Sequence, residues 1–156
     1  MNEPFIITGK CSTFGGPQDQ GVARNEDLAL YQKMQLAAAP HGMFLDEQPE
    51  GTTGTARRLN PAFPYIAMRW AYRDATRAMK LPGLGVCMNV TTPRTWLMRN
   101  TVTVSNPARP DLKPVQAYAA DWGPNSDTGR VADLSPGILA ALALETDSEV
   151  TITITA

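Results

Sequence analysis

The last residues of the chain alternate strictly between branched apolar and polar side chains. From Glu149 to Ala156, the apolar residues Val150, Ile152 and Ile154 are separated by threonines. A period of two built from β-branched residues is typical of a strand that buries one face. The pattern therefore predicts a C-terminal strand whose valine and isoleucine side chains face a core.

Four shorter runs predict further strands, and two of them, residues 65–72 and 101–105, show the same alternation. They cover residues 5–8, 65–72, 101–105 and 115–120. Asn106-Pro107 follows the third run and is a turn signal, so we expect the third and fourth strands to form a hairpin. Residues 25–39 and 73–100 fit either a helix or strands by their spacing.

One short helix is predicted just before the C-terminal strand. Ser135 is a good N-cap, and Pro136 suits the first helical position, where its missing N–H costs nothing. A helix from Ser135 to Leu144 would bury a stripe that includes Ile138 and Leu142. The interval between residues 121 and 135 is predicted to be a glycine-interrupted loop that joins a strand to this helix.

Composition favours one β-rich domain spanning residues 1–156. The chain has 156 residues, of which 43% are hydrophobic, so it has enough apolar surface to bury one core. With 12 glycines and 13 prolines, turns are favoured over a helical bundle. The start of the chain lacks the basic region of a secretion signal, and the longest apolar run, Ile138 to Leu144, has seven residues where a membrane span needs about twenty. We expect neither a signal peptide nor a membrane span.

Charge is segregated along the chain although the net charge is only -1. The segments 1–50, 51–113 and 114–156 carry -4, +8 and -5 respectively. The basic middle contains an expected insertion at about residues 72–100, and its arginines either pair with the acidic ends or form a positive wall for an anionic polymer. Pairing is the favoured interpretation, so nucleic acid is the weaker hypothesis for a partner.

Metal and cofactor chemistry is not expected. The chain has two cysteines, Cys11 and Cys87, and one histidine, His41, without metal-ligand spacing. The cysteines are interpreted as small core residues rather than nucleophiles, because no histidine is close in sequence to activate either thiol. A disulfide between them remains open at this stage.

Candidate chemistry is concentrated between residues 121 and 135. Asp121 follows a predicted strand directly, and Trp122 beside it offers an apolar plane that can stack on a sugar and raise a carboxyl pKa by desolvation. Asp133 either caps the helix or bonds to Arg130. Asp121 is thus a candidate acid or base, although a loop-fixing role is the competing interpretation.

The same segment resembles a known family. Asp-Trp-Gly-Pro, then Gly-Arg-Val-Ala-Asp-Leu-Ser-Pro, then an alanine- and leucine-rich helix and a β-branched strand are similar to the rare lipoprotein A family of double-psi β-barrels, which is related to expansins. The resemblance spans Val102 to Ile154, and weaker similarity to the family's motifs is found at residues 9–16, 25–26 and 59–61. In this chain Trp122 stands where the family usually has arginine, and the family's histidine position falls near residues 56–57.

The resemblance implies a six-stranded double-psi β-barrel with short helices, a long insertion and a surface groove. It also implies a lytic transglycosylase of peptidoglycan, acting at the cell wall or in the periplasm, in which Asp121 is the general acid/base. Glu26 would be the upstream glutamate, and His41 takes the histidine role only after a loop rearrangement. The expected substrate-binding residues are Trp122, Asn125, Arg130 and Asp133.

Two other functions remain open. A non-catalytic, expansin-like barrel would bind peptidoglycan or a related polysaccharide through tryptophans such as Trp122. A structural or interaction protein of a phage or secreted particle would use the barrel only to present a surface. Release of glycan fragments separates the first function from these two.

Overall fold

The described strands form one closed β-barrel. The structure is a computed structural model, and it describes residues 5–15, 40–44, 59–68, 99–122 and 128–154. In chain order the elements are β1 (Phe5–Thr13), β2 (Tyr65–Met68), β3 (Thr101–Ser105), β4 (Val115–Trp122), β5 (Arg130–Leu134), α1 (Pro136–Leu142) and β6 (Glu149–Ile154). The mainly β class and the closed six-stranded barrel are therefore confirmed.

Strand order differs from chain order. Around the barrel the strands follow the sequence β1-β5-β2-β4-β3-β6, and β6 closes onto β1. The pairs β1–β5 and β2–β4 are parallel, whereas the other four pairs are antiparallel. Parallel neighbours cannot be joined by a tight hairpin, so two crossing connections are built into this barrel. The β3–β4 pair is the predicted hairpin.

The barrel interior is filled by the apolar members of the alternating strands. Ile152 on β6 lies between Ile7 on β1 and Val104 on β3, and all three side chains are buried. Along β6 the burial alternates strictly, with Val150, Ile152 and Ile154 inside and the threonines between them half-buried. The prediction for the C-terminal strand is confirmed over Glu149–Ile154.

Strand β2 is buried on both faces, unlike the half-buried strand predicted from residues 65–72. All four residues from Tyr65 to Met68 are buried, and residues 69–72 lie outside the described part of the chain. The Tyr65 hydroxyl donates to the Phe14 carbonyl at 2.6 Å, and the two rings meet edge to face. The segment after β1 therefore covers Tyr65, the first residue of the strand.

The predicted loop from residue 121 to 135 is wrong over much of its length. β4 continues through Asp121 to Trp122, and Arg130–Leu134 forms the strand β5. β5 pairs with β1 on one side and with β2 on the other. These five residues show little alternation. They form a strand because β1 and β2 pair with their two edges, so the strand depends on residues distant in sequence.

Helix α1 has the predicted start. Ser135 has an extended backbone, and its hydroxyl accepts from the Ile138 N–H at 3.3 Å, with Pro136 at the first helical position. The helix ends at Leu142, where Ala143 adopts a left-handed conformation with φ of 53°. Ile138 and Leu142 are fully buried against the barrel.

Ser135→Ala is expected to lower the free energy of unfolding by about 1–2 kcal/mol. The fully buried Ser135 hydroxyl caps Ile138 and also lies 3.4 Å from the Tyr65 N–H. Its removal takes one acceptor from each N–H, and each then keeps a backbone carbonyl, that of Ser135 for Ile138 and that of Phe63 for Tyr65. Urea unfolding of this variant and of Ser105→Ala measures the effect. Ser105 serves as the control because its hydroxyl makes a single long contact, at 3.5 Å, with the Thr151 carbonyl. Equal losses in the two variants would contradict the assigned capping role.

Several predictions fall outside the described residues. They include the ambiguous segment 25–39, nearly all of the basic insertion at 72–100, and Cys87. Within the described ranges, no helix has the length and apolar character needed to cross a membrane.

Candidate functional site

A row of four residues crosses one wall of the barrel and contains two of the predicted site residues. The backbone of Ala67 on β2 pairs with Asp121 on β4 and with Asp133 on β5. Asp133 pairs in turn with Ser12 on β1. We call Asp121, Ala67, Asp133 and Ser12 the aspartate row. Two strand spacings separate the Asp121 and Asp133 backbones, which corresponds to about 10 Å.

A register shift sets this row. On the β2–β4 pair, Ile66 lies beside Ala119, but the next residue, Ala67, lies beside Asp121. Ala120 is therefore the extra residue of an irregularity between Ile66 and Ala67. Such bulges re-aim the residues that follow them, and they occur often beside active sites. Without the shift, Ala120 would occupy the place of Asp121 in the row.

Asp133 and Ser12 lie on the outer side of the barrel wall. Leu134 is fully buried beside its partner Ile66, whereas Asp133 and Ser12 are half-buried. Alternation along β5 therefore turns Asp133 away from the interior that holds Leu134. Ala67, between the two aspartates, is nearly inaccessible and contributes only a methyl group. This part of the wall thus has a small residue flanked by polar ones.

Arg130 stands at the beginning of β5 and forms an ion pair with Asp147. Its Nε donates to Asp147 Oδ1 at 2.9 Å, and one terminal nitrogen lies 3.4 Å from Oδ2. Hydrogen bonding from Arg130 lowers the pKa of the Asp147 carboxyl. Asp147 has a positive φ of 69°, and its N–H donates to the Cys11 carbonyl at 2.7 Å, which fixes it beside β1. The predicted substrate-binding Arg130 is therefore held next to the aspartate row.

Cys11 is a free, fully buried cysteine beneath this charged cluster. Burial raises the pKa of its thiol to about 11, and the carboxylates of Asp147 and Asp133 add to the rise. The thiol faces the Glu145 carbonyl at 3.6 Å. The interpretation of Cys11 as a core residue agrees with this environment.

Cys11 in the native protein is expected to react with iodoacetamide at least about 100-fold more slowly than in urea at about pH 8, because burial keeps the thiol protonated and out of contact with the reagent. The measurement is mass-spectrometric alkylation of a Cys87→Ser variant, which leaves one thiol in the chain. Similar rates in native and denaturing buffer would contradict the buried position.

His41 lies in a turn that packs near the beginning of β2. It is an exposed residue in the turn formed by residues 40–44. The neighbouring Gly42 approaches the ring of Phe63, which packs against Tyr118 at a centroid distance of 5.1 Å. Tyr118 pairs with Tyr65, where β2 begins, whereas Asp121 pairs with Ala67 near its end. The contacts of this turn thus lead to the beginning of β2, two residues before Ala67 of the aspartate row.

Two predicted site residues, Glu26 and Asn125, lie outside the described part of the chain. Trp122 is the last residue of β4, and its backbone pairs with Met68. Sequence reasoning missed Ser12 and Asp147, which the fold brings to the aspartate row and to Arg130. Only pairing between strands far apart in sequence reveals them. The residues that the structure describes contain no group of histidine, cysteine and acidic side chains able to hold a metal.

Comparison with known proteins adds no assignment. No protein-family model matches the chain, and a search of curated proteins returns no match.

Proposed function

We propose that this chain is a cell-wall glycan-active protein that cleaves peptidoglycan as a lytic transglycosylase. The observation that carries the proposal is the aspartate row, in which the backbones of Asp121 and Asp133 flank Ala67 on neighbouring strands. Glycan cleavage needs a carboxyl group that can protonate the glycosidic oxygen, and a second carboxylate close by can hold the sugar beside it. Two parallel pairs within a closed six-stranded barrel support a double-psi arrangement as the scaffold.

The proposed reaction uses Asp121 twice. As a carboxylic acid it gives its proton to the glycosidic oxygen, so that the leaving sugar departs as an alcohol. The resulting Asp121 carboxylate then takes a proton from a hydroxyl of the remaining sugar, and the oxygen of that hydroxyl bonds to the anomeric carbon. An intramolecular anhydro sugar forms, no water is consumed, and Asp121 is again protonated for the next turnover.

The surrounding residues bind the sugar in this proposal. Asp133 and Ser12 offer a carboxylate and a hydroxyl on the outer wall beside Ala67. Arg130, oriented by Asp147, supplies hydrogen-bond donors at the beginning of β5. Trp122 at the end of β4 is the proposed stacking platform, since an aromatic ring packs well on the apolar face of a sugar.

A second function is favoured by the residues at the family's histidine position. That position falls near Ala56 and Arg57, so no histidine stands where the family resemblance calls for one near the acid. An expansin-like barrel that binds glycan without cleaving it needs no such histidine. The aspartate row then serves as a binding surface, with the same residues hydrogen-bonding to sugar hydroxyls.

Digestion of purified peptidoglycan sacculi separates the two functions. The transglycosylase predicts soluble muropeptides that carry anhydro ends and no new reducing ends, detected by chromatography and mass spectrometry. Binding to sacculi without soluble product would support the non-catalytic barrel. Neither release nor binding would reject both functions and leave a structural or interaction role.

A further inference from the structure

The wall opposite the aspartate row carries a regular array of hydroxyl groups. Thr8 lies on β1, Thr151 and Thr153 on β6, and Thr101, Thr103 and Ser105 on β3, with Gln116 beside them on β4. We call these seven residues the threonine face. In the closed order of strands, β6 lies three strands from β2 in either direction. The threonine face and Ala67 are therefore on opposite sides of the barrel.

The side chains of the threonine face are accessible and mutually ordered. Thr8 and Gln116 are exposed, and the other five are half-buried. The hydroxyls of Thr8 and Thr151 lie 2.9 Å apart. Thr101 donates to the Gln116 side-chain oxygen at 3.0 Å, and the Gln116 amide donates to Thr103 at 3.0 Å. These bonds hold the hydroxyls in one pattern before any partner arrives, which lowers the entropy cost of binding.

Charge is excluded from this surface. Along the described outer faces of β1, β3 and β6, the charged side chains are Lys10 and Glu149, which pair with each other at one end. Successive threonines on one strand are two positions apart, which corresponds to about 6.7 Å, and neighbouring strands lie about 4.8 Å apart. The result is a neutral lattice of hydroxyl and methyl groups, into which β1 also places the exposed apolar side chain of Ile6 beside Thr153. An uncharged polymer with alternating hydroxyl and C–H groups matches that chemistry, whereas a polyanion finds no cation on it.

Two further features extend the surface. Tyr118, an exposed aromatic residue, pairs with Thr101 at one edge and offers a ring for stacking. At another edge, Ser105 leads into a cavity of about 540 Å³ lined by Asn106, Arg109, Ser148 and Glu149 together with Pro107, Ala108 and Ala143. The face thus runs from an aromatic ring across ordered hydroxyls to a polar cavity, which suits an extended ligand rather than a compact one.

We propose that the threonine face is a second saccharide-binding surface, and that it takes an uncharged glycan chain. This inference rests on the proposed function only for the identity of the natural polymer. Because the two walls are opposite, one molecule would contact two glycan strands at once, and the second contact would hold the protein on the polymer between cleavage events.

The test measures binding to insoluble chitin, a neutral polymer of N-acetylglucosamine, and to peptidoglycan sacculi. Every variant carries Asp121→Asn, so that cleavage does not affect the pull-down. Replacing Thr103, Thr151 and Thr153 together by valine keeps the β-branched shape and removes three hydroxyls. We expect binding to both polymers to weaken at least about tenfold. Thr13→Val, at the exposed end of β1 outside the threonine face, is the matched control and should bind within about twofold of the parent.

A single substitution guards against misfolding of the triple variant. Thr153→Lys places one charge in the neutral lattice, and it should also weaken binding to chitin while the thermal unfolding transition is preserved. Unchanged binding in a folded triple variant, or no binding of the parent to either polymer, overturns the inference. Threonine-dependent binding by a protein that releases no muropeptides supports the threonine face and rejects the transglycosylase. Muropeptide release by the wild-type protein, together with binding that the valine substitutions do not change, supports the transglycosylase and rejects the threonine face as a binding surface.

Discussion

Asp121→Asn is expected to lower muropeptide release from sacculi by at least about 100-fold. A positioned general acid/base contributes roughly 10²–10⁴ in rate, and an amide can neither give nor take the proton that each half of the proposed reaction requires. The substitution keeps the shape of the side chain, and Asp121 lies in a strand whose backbone pairs with Ala67. We therefore expect the loss of activity without a change in the unfolding transition.

Asp147→Asn is the matched control for that experiment. It removes a carboxylate from the same side of the barrel, where Asp147 pairs with Arg130 and is about half exposed. Its effect on release should stay within about tenfold, because it alters the position of Arg130 rather than proton transfer. Undiminished release by a folded Asp121→Asn protein, or an equal loss in both variants, would reject Asp121 as the acid/base.

The elements that the sequence predicts well are those whose signal is local. Val150, Ile152 and Ile154 alternate with threonines, and Ser135-Pro136 carries its own capping chemistry, so the last strand and the beginning of the helix need no information from distant residues. The β3–β4 hairpin is also local, because its two strands are consecutive and are joined by the nine residues 106–114. These elements are confirmed close to their predicted bounds.

β5 shows why the remainder could not be predicted. Arg130–Leu134 has three buried residues, an outward arginine and an outward aspartate, which is a weak strand pattern by itself. Its extended conformation depends on hydrogen bonds to β1 and to β2, and those strands lie more than 60 residues upstream. The family resemblance predicted a six-stranded barrel, but the residues of this segment by themselves predicted a loop.

The candidate site was predictable in its residue types and not in its geometry. Asp121 and Asp133 stand out in the sequence as carboxyl groups near a tryptophan and glycines. Their placement on either side of Ala67 depends on a register shift of one residue at Ala120, which no local pattern encodes. A shift in register changes which residues share a row and a face, so small non-local differences decide whether two aspartates can act on one ligand.

The two walls of the barrel divide the proposed work. β4 and β5 carry the two carboxylates and β2 carries the small residue between them, whereas β6 and β3 carry ordered hydroxyls without charge at their centre. Both walls enclose the same interior. There, the side chains of Ile7, Ile152 and Val104 lie side by side on the inner face of the strands that carry the threonine face. A defect in that interior should therefore disturb the threonine face as well as the stability of the fold.

Ile152→Ala is expected to lower the free energy of unfolding by about 3 kcal/mol, within the range of about 2–5 kcal/mol for truncating a buried isoleucine. Ile152 is fully buried on β6, between Ile7 and Val104, so the lost contacts cannot be replaced by water. Domains of this size are stable by only about 5–15 kcal/mol, and such a loss therefore shifts the midpoint of urea unfolding strongly.

Thr153→Ala is the neighbouring control on the same strand. Its half-buried side chain points to the outside, so truncation should cost less than about 1 kcal/mol, mainly through reduced β-propensity. Equilibrium urea unfolding, followed by circular dichroism, measures both variants. The dependence of the unfolding free energy on urea concentration is expected to have the same slope in each. If Thr153→Ala destabilises the protein as much as Ile152→Ala does, the inside and outside of β6 have been assigned to the wrong faces. The threonine face would then lose its physical basis, because its hydroxyls would belong to the core.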